Sequence, residues 1–137
     1  MGITITATNS SYDFDMGYGG FFNLRRNIAL ALDKEFGENY SLLGKCVTPR
    51  QFEENDKVAN LILSEKHLDE DIVDFLYAPD TEGTISYKTC KKILDLIQNV
   101  DFGKKGFRYA IYMNDDYEDF KKFLKECYSN KRKMRWY

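Results

Sequence analysis

The sequence predicts an α+β fold: a helix-rich single domain with a small, mainly antiparallel sheet. Two stretches, "ITITAT" at 3–8 and "FRYAIYM" at 107–113, alternate with the period of two expected of half-buried strands. Elsewhere apolar residues recur every three or four positions, the spacing of helices with one buried face. No Pro-rich linker, internal repeat or low-complexity tract divides the 137 residues, a length that suits one core. Residues 1–137 are therefore expected to form one domain.

In the first strand Ile3 and Ile5 share a face, and the polar "NSS" ends it. "YDFDMGYGG" reads as a glycine-rich turn leading into a helix over 21–36. Phe21, Leu24, Ile28, Leu32 and Phe36 line one face of that helix, and Gly37 is expected to stop it. The next helix has a strong start: Thr48 as N-cap and Pro49 at the first helical position. Its buried stripe is expected at Phe52, Ala59, Ile62 and Leu63, and Glu53 and Glu54 lie near its positive end. A short helix covers 69–77 with Ile72, Phe75 and Leu76 inward. The stretch "APDTEGTISYKT" at 78–89 then turns the chain at Gly83, and Ser86 caps a helix facing inward with Tyr87, Cys90, Leu94 and Ile97. After "VDFGKKG" comes the second strand, with Phe107, Tyr109, Ile111 and Met113 alternating. Asn114 or Asp115 caps a last helix carrying Tyr117, Phe120, Leu124 and Cys127 on one face, and "KMRWY" ends as a short extended segment. The sheet is thus expected to join residues distant in sequence.

Bulk properties exclude several function classes. At 43% hydrophobic, with 10 Tyr and 10 Phe, the chain can bury a core and is not a disordered segment. It has no basic-then-apolar leader, and no apolar run approaches the roughly 20 residues a spanning helix needs. Cys46, Cys90 and Cys127 are odd in number, far apart and without a CxxC spacing. That usage suits reduced thiols, so the expected location is cytoplasmic, with no membrane association. Cys90 and Cys127 occupy inward helical positions and read as core rather than as nucleophiles. His67, the single histidine, sits in the acidic "SEKHLDED" and is expected to be exposed.

The stretch at 78–89 resembles an EF-hand calcium loop, with Asp80, Glu82 and Gly83 at matching positions. Ala78 and Thr89 stand where the first carboxylate and the bidentate Glu belong. Two carboxylates cannot supply the six to eight oxygens Ca²⁺ takes, so no metal is expected.

Two clusters remain as candidate sites. Gly17, Gly19 and Gly20 directly precede a helix whose early turns carry Arg25 and Arg26. Free N–H groups there attract anions, and Tyr12 and Tyr18 can stack on a base, which makes this the place for a phosphorylated small molecule. The same glycines can equally serve a tight strand-to-helix turn. Neither a Walker A nor a GxGxxG pattern is present, so no cofactor is expected. The second cluster follows from charge asymmetry. Residues 69–120 carry 12 acids and 6 bases, whereas 121–137 carry 7 bases and one acid. Lys131, Arg132, Lys133 and Arg135, with Trp136 and Tyr137, can meet an acidic protein face or a nucleic acid. They also read as a solvated helix end.

"DMGYGGFFNLRRNIA", "ISYKTCKKI" and the terminal "KMRWY" resemble small uncharacterised proteins of Firmicutes phages and mobile elements. The resemblance implies an inhibitor of a host defence system, working by binding a protein or nucleoprotein complex or by sequestering a phosphorylated ligand. It supplies no catalytic residues. The expected function is accordingly non-enzymatic binding. Alternatives are a small enzyme acting on a phosphate-containing substrate at Gly17–Gly20, with Arg25 or Arg26 clamping charge, and nucleic-acid binding through the basic C-terminus. An aromatic-rich face also suits a homo-oligomer.

Overall fold

A computed structural model of the chain describes residues 2–8, 13–100, 102 and 114–137. Tyr12 and the strand expected at 107–113 lie outside the described residues. The N-terminal alternation forms strand β1 (Gly2–Ala7), followed by β2 (Asp13–Gly17), helix α1 (Tyr18–Leu32), α2 (Lys34–Ser41) and a 3-10 turn (Leu42–Lys45). Helices α3 (Pro49–Lys66) and α4 (Glu70–Tyr77) come next, then β3 (Gly83–Ile85), α5 (Tyr87–Ile97), α6 (Asn114–Ser129) and β4 (Met134–Trp136). The four strands among the described residues form one antiparallel sheet in the order β2-β1-β4-β3. The fold is α+β, as the sequence predicts.

Strand pleating separates two faces. Ile3, Ile5, Ala7, Met16, Met134 and Trp136 point inward and are buried, joined by Phe21, Leu24 and Ile28 of α1 and by Phe120, Phe123 and Leu124 of α6. Trp136 packs between Phe21 and Phe75, with ring centroids 5.8 and 5.6 Å away. Its Nε1–H donates to Pro79 O at 2.9 Å. Two further donors converge on the carbonyl end of α4: Arg25 Nη1 bonds Phe75 O (3.1 Å) and Ala78 O (2.6 Å), and Tyr40 OH bonds Leu76 O (2.7 Å). A helix end leaves its last carbonyls without intrahelical partners, and here side chains from α1 and α2 supply them, while Trp136 of β4 holds the Pro79 carbonyl just beyond.

The structure corrects the expected helix over 21–36. It breaks at Asp33, whose extended backbone (φ −164°, ψ 133°) lets its carboxylate accept the Phe36 N–H at 2.9 Å and cap α2. Gly37 does not end the run: it lies within α2, where a Cβ would come 2.5 Å from Leu30 Cα, so it permits α2 to cross α1 closely. In α3 the Thr48 cap forms a full capping box with Gln51. The inward stripe differs: Phe52 is exposed and Asn55 is buried instead. Asn39 and Asn55 each donate to the other's backbone carbonyl, at 3.1 and 2.8 Å, and tie α2 to α3. Two strands were not anticipated. The "DFDMG" part of the expected turn is β2, and Gly83–Ile85 within the expected loop is β3.

Burial alone would raise the Asp33 carboxyl, but the Phe36 N–H and the Lys66 ammonium at 3.1 Å outweigh it and hold its pKa below the ordinary carboxylate range. A carboxyl depressed on folding adds stability above its unfolded pKa, and that share is lost as pH falls through the folded value. Asp33→Ala should cost about 1 kcal/mol in urea unfolding at neutral pH. Asp33→Asn should keep most of the cap yet flatten the acid limb of the stability profile. An acid limb identical to wild type in both variants would assign that limb to other carboxylates.

Candidate functional site

The outward positions of the sheet form a polar face crossed by regular rows. Register places Asp13 opposite Thr6, Thr6 opposite Arg135, and Arg135 opposite Thr84, so one row spans all four strands. The neighbouring row runs Asp15, Thr4 and Tyr137, because Thr4 and Tyr137 exchange backbone hydrogen bonds at 2.8 and 3.1 Å. Thr8 continues the β1 column beside Lys133, whose carbonyl accepts the Thr8 N–H and whose own N–H donates to Thr8 Oγ1 at 3.2 Å. Asp13, Asp15, Thr84, Lys133, Arg135 and Tyr137 are exposed.

Charge on this face is graded. Carboxylates occupy β2, a threonine column occupies β1, and Arg135 occupies β4 with Lys133 just before it. Thr4 Oγ1–H donates to Asp15 Oδ1 at 2.6 Å and holds that carboxylate on the face. The Arg135 guanidinium lies 5.1 Å from the Tyr137 ring centroid, a cation–π stack that presents a flat, weakly hydrated cation to solvent.

The basic C-terminus therefore divides. Lys133, Arg135 and Tyr137 join the exposed face. Lys131, in the left-handed region at φ 52°, stands exposed in the turn after α6. Arg132 Nη1 donates to Thr8 O at 2.9 Å and fastens that turn to β1. Trp136 points the other way into the core and is fully buried, so its side chain offers no surface to a partner.

The glycine cluster is also divided by the fold. Gly17 ends β2 and precedes α1 with φ −65°, so positive φ is not its role, and open space surrounds the Cβ position of both Gly17 and Gly19. Gly20 follows in the first turn of α1, and the Tyr18 side chain lies outside what is described. Beside Gly17 is a hollow of about 440 Å³ lined by Gly2, Ile3, Thr4, Asp15, Met16 and Gly17. Among the described residues its one charged group is the Asp15 carboxylate. Arg25 and Arg26 do not attend it: both are buried, and Arg25 is directed at α4, with its guanidinium 4.4 Å from the Phe21 ring centroid. The geometry at the loop is that of a strand-to-helix junction beside an acid.

Other candidates resolve into structure. Gly83 opens β3, and a Cβ there would lie 2.6 Å from Trp136 Cε2, so glycine admits the indole rather than a calcium ligand. Ser86 Oγ accepts the Thr89 N–H at 3.2 Å as the cap of α5. His67 ends α3 in the left-handed conformation and is exposed. Cys90 and Cys127 are fully buried. The neighbouring Cys127 thiol and burial push the Cys90 thiol up, away from the thiolate that nucleophilic catalysis needs. Among the described residues no helix is long and apolar enough to cross a membrane.

Sequence pattern missed Asp13, Asp15, Thr4, Thr6 and Thr84 as surface-forming residues. The signal was present for four of them: if Ile3 and Ile5 face inward, Thr4 and Thr6 face outward, and "DFD" alternates in the same way. Compared with known families, curated proteins and solved structures, the chain matches no family model and no protein or structure significantly.

Proposed function

We propose that the chain is a non-enzymatic binding protein that docks a protein complex on the exposed face of its sheet. The observation that carries this reading is the row Asp13–Thr6–Arg135–Thr84 with the Arg135–Tyr137 stack beside it. Arg and Tyr are favoured interface anchors, and the pre-formed stack lowers the entropy lost when they are covered. A face carrying both signs fits a protein surface of opposite grading. Nucleic acid fits less well, because Asp13 and Asp15 would lie beside the phosphates that Lys133 and Arg135 attract. Among the described residues, a phosphorylated ligand at Gly17 would meet the Asp15 carboxylate. The resemblance to phage and mobile-element proteins points to a host defence complex as the partner, blocked by occupancy in a cytoplasmic setting.

Arg135→Glu and Tyr137→Ala should each weaken partner binding by about 30-fold or more, an effect of roughly 2 kcal/mol at an anchor position. Both side chains are exposed, so thermal unfolding should stay near that of wild type. Titration calorimetry with a partner recovered by the wild-type chain provides the measurement. Unchanged affinity in both variants would refute docking on this face.

A further inference from the structure

On α3, Asp56, Ala59 and Leu63 recur at helical spacing and, at about 100° per residue, fall within a sector of about 60°. On α4, Val73, Asp74 and Tyr77 fall within about 100°. The two sets line a crevice of about 290 Å³ between the helices. Its lining is layered. Ala59 and Val73 are buried and make an apolar floor, Leu63 and Tyr77 are half-buried and make its walls, and Asp56 and Asp74 stand exposed at the rim, one on each helix.

Both rim carboxylates are uncompensated. Two lysines of this part of the chain are committed elsewhere, Lys66 to Asp33 and Glu35, and Lys92 to Asp69 and Asp71. Lys57 follows Asp56 but lies about 100° further round α3, away from the sector that lines the crevice. Among the described residues neither Asp56 nor Asp74 forms an ion pair or accepts a side-chain hydrogen bond. The negative field reaches the crevice wall: burial first, then Tyr40 and Asp56, push the Tyr77 phenol above its usual pKa. That phenol stays neutral at neutral pH, with its oxygen 3.5 Å from Asn55 Oδ1, and its aromatic ring can border a cation.

We propose that this crevice binds a linear aliphatic diamine, its methylene chain over Ala59 and Val73 and one ammonium at each rim carboxylate. Recognition needs both parts. A floor of side-chain carbon gives a bare metal ion no oxygens, and among the described residues no group of three or more His, Cys, Asp and Glu could hold one. An anion is opposed by both carboxylates, and a neutral apolar ligand would leave them unpaired. An alkyl chain with a cation at each end covers the apolar floor and pairs both acids. The crevice uses no residue of the exposed sheet face, and the inference does not depend on docking there.

Amide NMR titration of the full chain with cadaverine, at about 0.15 M salt, tests it. Saturable shifts confined to amides near 56–63 and 73–77 are expected, with a Kd of about 1 mM. Asp56→Asn and Asp74→Asn should each weaken binding about fivefold, the effect of losing one solvated ion pair. Pentylamine carries a single ammonium and should likewise bind about fivefold more weakly than cadaverine. Both substituted side chains are exposed, so the spectra without ligand should otherwise match wild type. If either variant misfolds, the comparison of the two amines on the wild-type chain carries the test. No saturable shift, equal affinity for cadaverine and pentylamine, or affinity unchanged in either folded Asn variant overturns the proposal.

Discussion

Arg25→Met should unfold at markedly lower urea than wild type, with a loss of about 2–4 kcal/mol. Arg25 is 5% exposed and its Nη1 holds both Phe75 O and Ala78 O. Methionine keeps length and apolar bulk but offers no donor, so Ala78 O loses its partner at about 1–3 kcal/mol, and Phe75 O keeps only the Ala78 N–H at 3.4 Å. The cation opposite a helix C-terminus is lost as well. Relief from burying a guanidinium offsets part of this, as burial, against the favourable fields of Tyr40 and Asp80, pushes Arg25 below its usual pKa. Arg25→Lys should fall between, because an ammonium keeps the charge without the planar fork. Trp136 fluorescence reports the transition, since the indole is fully buried. A methionine variant as stable as wild type would mean that desolvation of the cation cancels its hydrogen bonds.

Tyr40 belongs to the same junction. Burial is the main cause that pushes its pKa up to about 12, opposed by Arg25 and reinforced by Asp80. The phenol therefore remains a donor to Leu76 O at neutral pH. Because its folded pKa is raised, its contribution is complete below the unfolded value and is lost as pH rises through about 12.

Gly83→Ala is the second large effect, an expected loss of about 1–3 kcal/mol. The added Cβ would enter the Trp136 indole, and β3 cannot retreat without giving up its pairing to β4 at Gly83, Thr84 and Ile85. Trp136→Phe removes the obstructing ring but also the bond to Pro79 O, so alone it should cost about 1–3 kcal/mol. The two losses should not add: Gly83→Ala should cost less in the Trp136→Phe background. Far-UV circular dichroism during urea unfolding serves all four proteins of this cycle. Strict additivity would show that glycine is needed for backbone conformation rather than for the approach of the indole.

These two predictions mark what sequence pattern carried and what it did not. Helices α3, α4 and α5 were legible because their caps and apolar spacing are local, and α6 because Tyr117, Phe120, Leu124 and Cys127 recur on one buried face. Thr48 with Gln51, Asp69 and Ser86 all accept the N–H bonds their positions imply. Strand β3 was not legible, because three residues become a strand only by pairing with β4, some fifty positions away. The roles of Arg25 and Gly83 were hidden for the same reason: one is set by carbonyls at 75 and 78, the other by the ring of residue 136. The break at Asp33 was readable in principle, since an Asp three residues before Phe36 is a cap signal, but the continuing apolar spacing concealed it. The exposed face was half visible. Its cations stood out as a run, whereas its threonines and carboxylates show only once strand alternation is followed to the outward positions.

Site-specific photo-cross-linking tests the central claim most directly. A benzophenone amino acid at Thr84, exposed in the row beside Arg135, is compared with one at Gln98, exposed just beyond α5. In host lysate, docking on the sheet face predicts a discrete protein adduct from position 84, none from 98, and loss of that adduct when Arg135→Glu is added. Adducts from 98 alone, or an adduct from 84 that survives Arg135→Glu undiminished, would contradict it.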